Sequence, residues 1–166
     1  NRSNTSNAFN KTQNTLVDIC KQRPRVHETA ARVHYGELPS IYPPVSLAVF
    51  ASAAAMTPAS ASLETAVVIL KAFIVLFDLG VMYWLIRLFK HLGIAPQLVI
   101  SWAWCPLVVK EFANSGHLDS IAIFFTLAAT YALAIQPARK SLWASGLLMG
   151  LAVASKLYPV ILLPLW

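Results

Sequence analysis

The sequence predicts an all-α fold, a polytopic membrane helix bundle. Three observations carry this. Of the 166 residues, 57% are hydrophobic and only 12% charged, where a soluble domain carries about 25% charged residues. The apolar residues fall in long runs, with a sharp change of composition near residue 40. Two short polar patches, Tyr35–Val45 and Lys110–Asp119, are wedged against or between those runs.

Taken in order, residues 1–41 read as an extracytoplasmic polar loop and 42–166 as a transmembrane helical region, part of one larger membrane domain. A spanning helix needs about 20 apolar residues. Pro43–Met56 falls short of that and reads as a re-entrant or interfacial helix. Ala66–Leu88 qualifies, with Lys71 and Asp78 as its interior charges. Ala95–Val109 is at the margin. Leu118–Ile135 qualifies. Leu142–Leu165 is long enough but holds Lys156 and Pro159, which predict a break near Ser155. The expectation is about four spanning helices plus the short one. Asn1 is not Met and Trp166 lies inside an apolar run, so the sequence reads as an interior piece of a longer membrane protein.

The net charge is +6. In a soluble protein this would suggest nucleic acid. Here basic residues flank apolar helices, and the positive-inside rule explains them without a nucleic-acid partner. Arg87, Lys90 and His91 follow the first long span, and Arg139 and Lys140 follow the third. Both clusters are expected on the cytoplasmic side. The patch 110–119 then faces the other compartment, together with residues 1–40 if Pro43–Met56 does not cross. Cys20 and Cys105 give no disulfide framework and no metal spacing. The residues call for no cofactor, and leave room for a divalent ion.

Within the polar patches, Lys110, Glu111, Asn114, His117 and Asp119 lie close together in sequence. Asn114-Ser115-Gly116 is expected to break one helix and His117-Leu118-Asp119 to open the next. His and Asp near a helix start can transfer protons or bind a phosphate or sugar hydroxyls. The plain reading is that Asp favours helix N-termini. Tyr42-Pro43-Pro44 after Glu37 suits a rigid helix start, and the prolines could equally be simple punctuation. Lys71 and Asp78 lie on nearly one face of their span. A structural pairing between them is the plainer reading, and an intramembrane site the sharper one. Gly146, Gly150 and Ala154 form a small-xxx-small ridge that predicts close helix packing. Lys156 and Tyr158 follow where the last helix breaks, and the lysine could meet a lipid phosphate or snorkel to the interface. No Gly-rich phosphate loop, His-Glu-x-x-His or nucleophile elbow occurs.

Three stretches together carry a resemblance: Glu37-Leu38-Pro39-Ser40-Ile41-Tyr42-Pro43-Pro44-Val45, then Asn114-Ser115-Gly116-His117-Leu118-Asp119-Ser120, then the run from Gly146 through Ser155-Lys156-Leu157-Tyr158-Pro159 to Pro164. Over residues 33–166 the chain resembles multi-spanning glycosyltransferases of the GT-C fold, and in particular bacterial polyprenol-phosphate-mannose-dependent mannosyltransferases. The resemblance implies a multi-pass protein of the bacterial plasma membrane. It implies transfer of a sugar, mannose, from a polyprenyl-phosphate donor to a glycan or lipid acceptor on the non-cytoplasmic side, with inversion and a loop carboxylate as base. The family's catalytic Asp lies in the first extracytoplasmic loop, just after the first span. The acidic residues of that loop here, Asp18, Glu28 and Glu37, do not match that motif, which points to a principal base upstream. Under this reading Asp119, His117 and Glu37 are the catalytic candidates. Lys110, Lys156 and Tyr158 would bind the donor phosphate, and Tyr42, Asn114 and Glu111 would position substrate.

The chemistry agrees. An acceptor hydroxyl needs a base, and a carboxylate with a pKa of about 4 can serve when hydrogen-bonded to it. A lipid phosphate leaves as a stable anion and needs cations rather than an acid. The competing readings are a transporter or flippase, which mid-membrane charges would suit, and a non-catalytic membrane subunit. The sequence holds no internal repeat of the kind transporters show.

Overall fold

The structure, a computed structural model, describes residues 41–58, 60–135 and 139–165. Glu37 and the rest of residues 1–40 lie outside the described residues, as does the side of the membrane expected for them. Tyr42–Trp166 makes one compact unit. Among the described residues every regular element is helical.

Helix α1 is Pro44–Met56, 13 residues, or about 20 Å at 1.5 Å per residue. That is too short to cross the roughly 30 Å hydrocarbon core alone. Its start is set by proline. Pro43 is extended at φ −63°, ψ 160°, and Pro44 sits in the first turn, where a missing N–H costs nothing.

Helix α2, Leu63–His91, has 29 residues and is long and apolar enough to cross a membrane. Both ends are defined by side-chain and backbone chemistry. Ser62 Oγ accepts from the Thr65 amide, Glu64 lies in the first turn, and Lys90 and His91 lie in the last, which suits the helix dipole at each end. Beyond it, Gly93 adopts φ +69°. The Gly93 amide reaches Lys90 O at 3.4 Å and the Ile94 amide reaches Phe89 O at 2.8 Å. This is the paired closure that only a residue tolerant of positive φ permits cheaply.

The chain then returns alongside α2 in pieces. Pro96–Val99 is a 3₁₀ turn, α3 is Ile100–Ala103, α4 is Pro106–Val108, and Val109–Asn114 is π-helical. The single marginal span expected over Ala95–Val109 is therefore corrected to a broken segment. The reason is Pro106. It pushes Cys105 into an extended conformation at φ −68°, ψ 117°, as the residue before a proline must avoid helical geometry.

Helix α5, Asp119–Ile135, turns sharply from the return segment, at 116° between the two axes. Helix α6 is Arg139–Ser155, and the expected break near Ser155 is observed, followed by a 3₁₀ run over Tyr158–Leu165. α5 and α6 have 17 residues each, about 25 Å. Among the described residues, length and composition thus give one clear span, or two if the bent pair counts as one, fewer than the four expected.

The contacts fix the directions. Gly116 lies beside Lys71, Ser120 Oγ donates to Ile74 O, Phe124 packs on Phe77 and Tyr131 meets Arg87. α2 and α5 therefore run parallel. Asp119 pairs with Lys156 and Ser145 Oγ donates to Ala129 O, so α6 runs antiparallel to α5. Arg87, Lys90 and His91 consequently share one end with the start of α6, while Gly116, His117, Asp119 and Lys156 share the other, here called the polar end.

The core follows that frame. Val49, Ile74, Phe112, Leu118 and Ile121 form one buried cluster, and Ala129, Met149 and Ala152 a second. Buried serines join the helices. Ser46 Oγ donates to Ser155 O at 2.8 Å and Ser145 Oγ to Ala129 O at 2.9 Å, a bonding mode suited to an apolar environment.

The glycine ridge is a second correction. A Cβ on Gly146 or Gly150 would meet nothing within 4 Å. The buried face of α6 is Ser145, Met149, Ala152 and Ser155, one position away. The glycine that close packing does require is Gly80, where a Cβ would lie 2.5 Å from the Phe124 ring. That ring is hemmed in by Phe77, Phe125 and Trp84, at centroid distances of 5.4, 5.2 and 6.4 Å. Gly80→Ala is expected to destabilise the fold by about 1–3 kcal/mol through overpacking. Gly146→Ala and Gly150→Ala should leave it unchanged or raise it by up to about 1 kcal/mol of helix propensity. Thermal unfolding in detergent micelles reads all three, and equal effects would show that Gly80 is not a contact point.

Candidate functional site

The polar end is built where three helical segments stop or start. The π-helical stretch widens the backbone so that the Ser115 amide bonds to Lys110 O and the His117 amide to Glu111 O, both at 2.8 Å. π-helical turns of this kind are frequent at functional sites. Gly116 then takes φ +73° and redirects the chain into α5.

Two polar groupings result. In the first, His117 Nδ1 lies 2.7 Å from Glu111 Oε2, and Lys110 Nζ lies 3.7 Å from Glu111 Oε1. An ionised carboxylate can only accept. Nδ1 of His117 therefore carries a proton, which it donates to Glu111, and the ring is 58% exposed. Glu111 thus holds His117 twice, by side chain and by backbone. Lys110 is 69% exposed, so its contact with Glu111 contributes little to stability.

In the second, Lys156 Nζ lies 2.6 Å from Asp119 Oδ1. The lysine extends from the chain just past α6 and the aspartate opens α5. Burial, with a smaller contribution from the nearby Asp119 carboxylate, pushes the Tyr158 hydroxyl up to about 12. It stays protonated and offers an O–H donor beside the pair. The break after Ser155 leaves Lys156, and Tyr158 at the start of the 3₁₀ run, at this end, and Pro159 is fully buried.

The remaining candidates sort clearly. Tyr42 stacks edge-on against Phe50 at 5.3 Å. It precedes the Ser46–Ser155 hydrogen bond, which ties the start of α1 to the end of α6, and so it belongs to the polar end. Asn114 closes the π-helical stretch with its side chain exposed. Glu37 is outside the described residues. The structure thus brings Lys110, Glu111, Asn114, His117, Asp119, Lys156, Tyr158 and Tyr42 to one end of the unit. It joins His117 to Glu111 and Asp119 to Lys156. Among the described residues no group of three or more His, Cys, Asp or Glu side chains could hold a metal ion.

The expected Lys71–Asp78 pairing is corrected. Asp78 Oδ1 accepts from Trp102 Nε1 at 2.9 Å, and Lys71 lies two turns away beside Gly116. Seven residues of helix separate the two by about 10 Å along the axis, too far for the side chains to meet. Trp102 is a residue that the sequence reading passed over. Its signal was a tryptophan inside the segment that returns alongside α2.

Residues 9–166 match the family model described as alpha-(1->6)-mannopyranosyltransferase, N-terminal domain. The chain belongs to that family. No curated protein and no solved structure matches it. The match bears out the resemblance to mannosyltransferases, and family membership makes the chain a glycosyltransferase domain, whose substrates are a sugar donor and an acceptor.

The Asp78–Trp102 bond generates a stability test. Trp102→Phe keeps the ring but strands the half-buried carboxylate, and should cost about 1–3 kcal/mol. Asp78→Asn keeps an acceptor for the indole and should cost less. Chemical denaturation in detergent measures both, and a Trp102→Phe protein as stable as the wild type would remove the bond from the account.

Proposed function

We propose that this domain forms the polar end of a multi-pass membrane enzyme that moves mannose from a polyprenyl-phosphate donor to a glycan or lipid acceptor on the non-cytoplasmic face, inverting the anomeric carbon. The observation that carries the reading is the convergence of a carboxylate–lysine pair, a carboxylate-held histidine and a lysine at one end of a mannosyltransferase-family helix unit. The basic residues Arg87, Lys90, Arg139 and Lys140 gather at the other end. That separation is what a cytoplasmic basic rim and an opposite catalytic face would produce.

In this reading the acceptor oxygen attacks the anomeric carbon from the face opposite the phosphate. The C–O bond to phosphate breaks with its electron pair going to the phosphate oxygen, and the acceptor proton passes to the Asp119 carboxylate. Lys156, His117 and Lys110 hold the departing anion, and the protonated Tyr158 hydroxyl donates to it. Tyr42, Asn114 and Glu111 line the approach, with Glu111 acting through His117. Asp119 and Glu37 are the candidate bases within this sequence, beside the principal base that the resemblance implies in the full-length protein.

Lys156 and Asp119 neutralise each other before substrate arrives. The pair is 47% and 29% exposed, and such pairs contribute only about 0–1 kcal/mol. A lipid phosphate can therefore draw Lys156 away and leave Asp119 free for the acceptor. A transporter reading would lean on Asp78 as a mid-span carboxylate, and its engagement by Trp102 weakens that case.

Asp119→Asn in the full-length protein is expected to cut sugar transfer by about 100-fold or more, within the usual range for a lost base, with folding nearly unchanged. Near-normal transfer would reduce Asp119 to a helix-start residue. Lys156→Met should raise KM for the polyprenyl-phosphate sugar and leave acceptor KM alone, the mark of lost donor binding. Lys156→Arg should retain part of the function. For topology, cysteines at Ser115 and Lys90, in a variant lacking Cys20 and Cys105, should react with an impermeant maleimide from opposite sides. Labelling from one side would sink the orientation.

A further inference from the structure

Lys71 is a cation that the paired groups at the polar end do not account for. It lies in α2, the helix long and apolar enough to cross a membrane. Ionisable residues in such helices are rare and face a partner, a cavity or a pathway. Two carboxylates lie two turns away on nearly the same face: Glu64, exposed in the first turn of α2, and Asp78, engaged by Trp102. Among the described residues, Glu111 is engaged by His117 and Asp119 by Lys156, and no carboxylate pairs with Lys71. Its charge is therefore uncompensated within the described unit.

Its position is specific. A Cβ placed on Gly116 would lie 3.5 Å from Lys71 Cγ and 3.9 Å from Cε. The lysine stem thus runs along the loop between the π-helical stretch and α5, over the residue that has no side chain to obstruct it. The next residue is His117, and Asp119 with its Lys156 partner opens the helix just beyond. One turn along α2, Ile74 O accepts from Ser120 Oγ, which locks α2 and α5 in this register and fixes Lys71 at the level of the loop.

We propose that Lys71 is a further donor-binding residue, whose ammonium receives the phosphate of the polyprenyl-linked sugar at the Gly116 loop, alongside Lys156. This rests on the reading of the polar end as a lipid-phosphate sugar transferase. A lysine suits the task because a compact ammonium on a long flexible stem can follow a phosphate from ground state to leaving group. It would also explain why an apolar helix keeps a charge with no internal counter-ion. The anion that compensates it arrives with the substrate.

The test is direct binding to the full-length protein in detergent micelles, by microscale thermophoresis, with polyprenyl phosphate, neutral polyprenol and phosphatidylglycerol as separate probes. Wild type should bind polyprenyl phosphate well above polyprenol. Lys71→Met and Lys71→Gln should each weaken polyprenyl-phosphate binding by about 10-fold or more, the loss of one charge-assisted hydrogen bond, and leave polyprenol binding unchanged. Lys71→Arg should restore most of it. A wild type that prefers the phosphate, with Lys71→Met binding it equally well, overturns the role of Lys71 and leaves the donor reading standing. A wild type indifferent to the phosphate overturns the donor reading itself. An equal, Lys71-dependent response to phosphatidylglycerol assigns the site to a phospholipid headgroup and overturns the donor assignment.

Discussion

A helix in apolar surroundings can break only where its freed carbonyls and amides find new partners, and that constraint decides where the polar side chains between Lys110 and Asp119, and Lys156, sit. The breaks are few and each is equipped. At the end of α2, Gly93 and Ile94 fold back onto Lys90 and Phe89. At 109–117 the wide π-helical turns take up the Ser115 and His117 amides. At the end of α6, the Ser155 carbonyl accepts from Ser46. The second and third of these breaks fall at the same end because α5 and α6 are antiparallel and of equal length. The polar side chains that helix interiors would reject are therefore delivered together.

Much of this was legible in the sequence. The helical class, the break at Asn114-Ser115-Gly116, the break near Ser155 and the gathering of Lys110–Asp119 all follow from local chemistry: a glycine that tolerates positive φ, a proline that ends a helix, polar residues that mark a loop. What the sequence hid depends on rotation and register. The Gly146 and Gly150 ridge is visible as a pattern, but which stripe of α6 faces α5 is decided by Ser145 and Met149 packing on Ala129, one residue away. Lys71 and Asp78 share a face by counting, yet Trp102 claims Asp78 while Lys71 lies along the Gly116 loop. Trp102 could reach Asp78 only once the return segment was known to run back along α2. Pro106 was in plain sight, and its effect on Cys105 turns an apparent span into pieces.

The aromatic cluster shows how the two ends are kept in register. Arg87 donates to the Tyr131 hydroxyl at 2.7 and 3.1 Å and to Tyr83 at 3.0 Å. This ties α2 to α5 at the end away from the site. Ser120 does the same at the polar end through Ile74 O. Between them Phe77 and Phe124 meet edge to face, and Gly80 lets the helices approach. With two fixed points and a close-packed middle, α5 has little freedom to slide, so the Gly116 loop is held against Lys71.

The two carboxylates of the polar end are bound in different ways, and the difference assigns them different work under the proposed reading. Glu111 holds His117 through its side chain at 2.7 Å and through its backbone carbonyl at 2.8 Å. Moving it would release the imidazole, so it suits orientation. Asp119 has a lysine as its ion-pair partner, partly open to solvent, and an incoming phosphate competes for that same lysine. The event that loads the donor is then the event that uncovers the base. A carboxylate left free before the donor bound could offer the acceptor hydroxyl nothing to attack, and could equally activate water. Keeping Asp119 paired until a phosphate displaces it links activation to the presence of the sugar, using the same lysine that stabilises the leaving group.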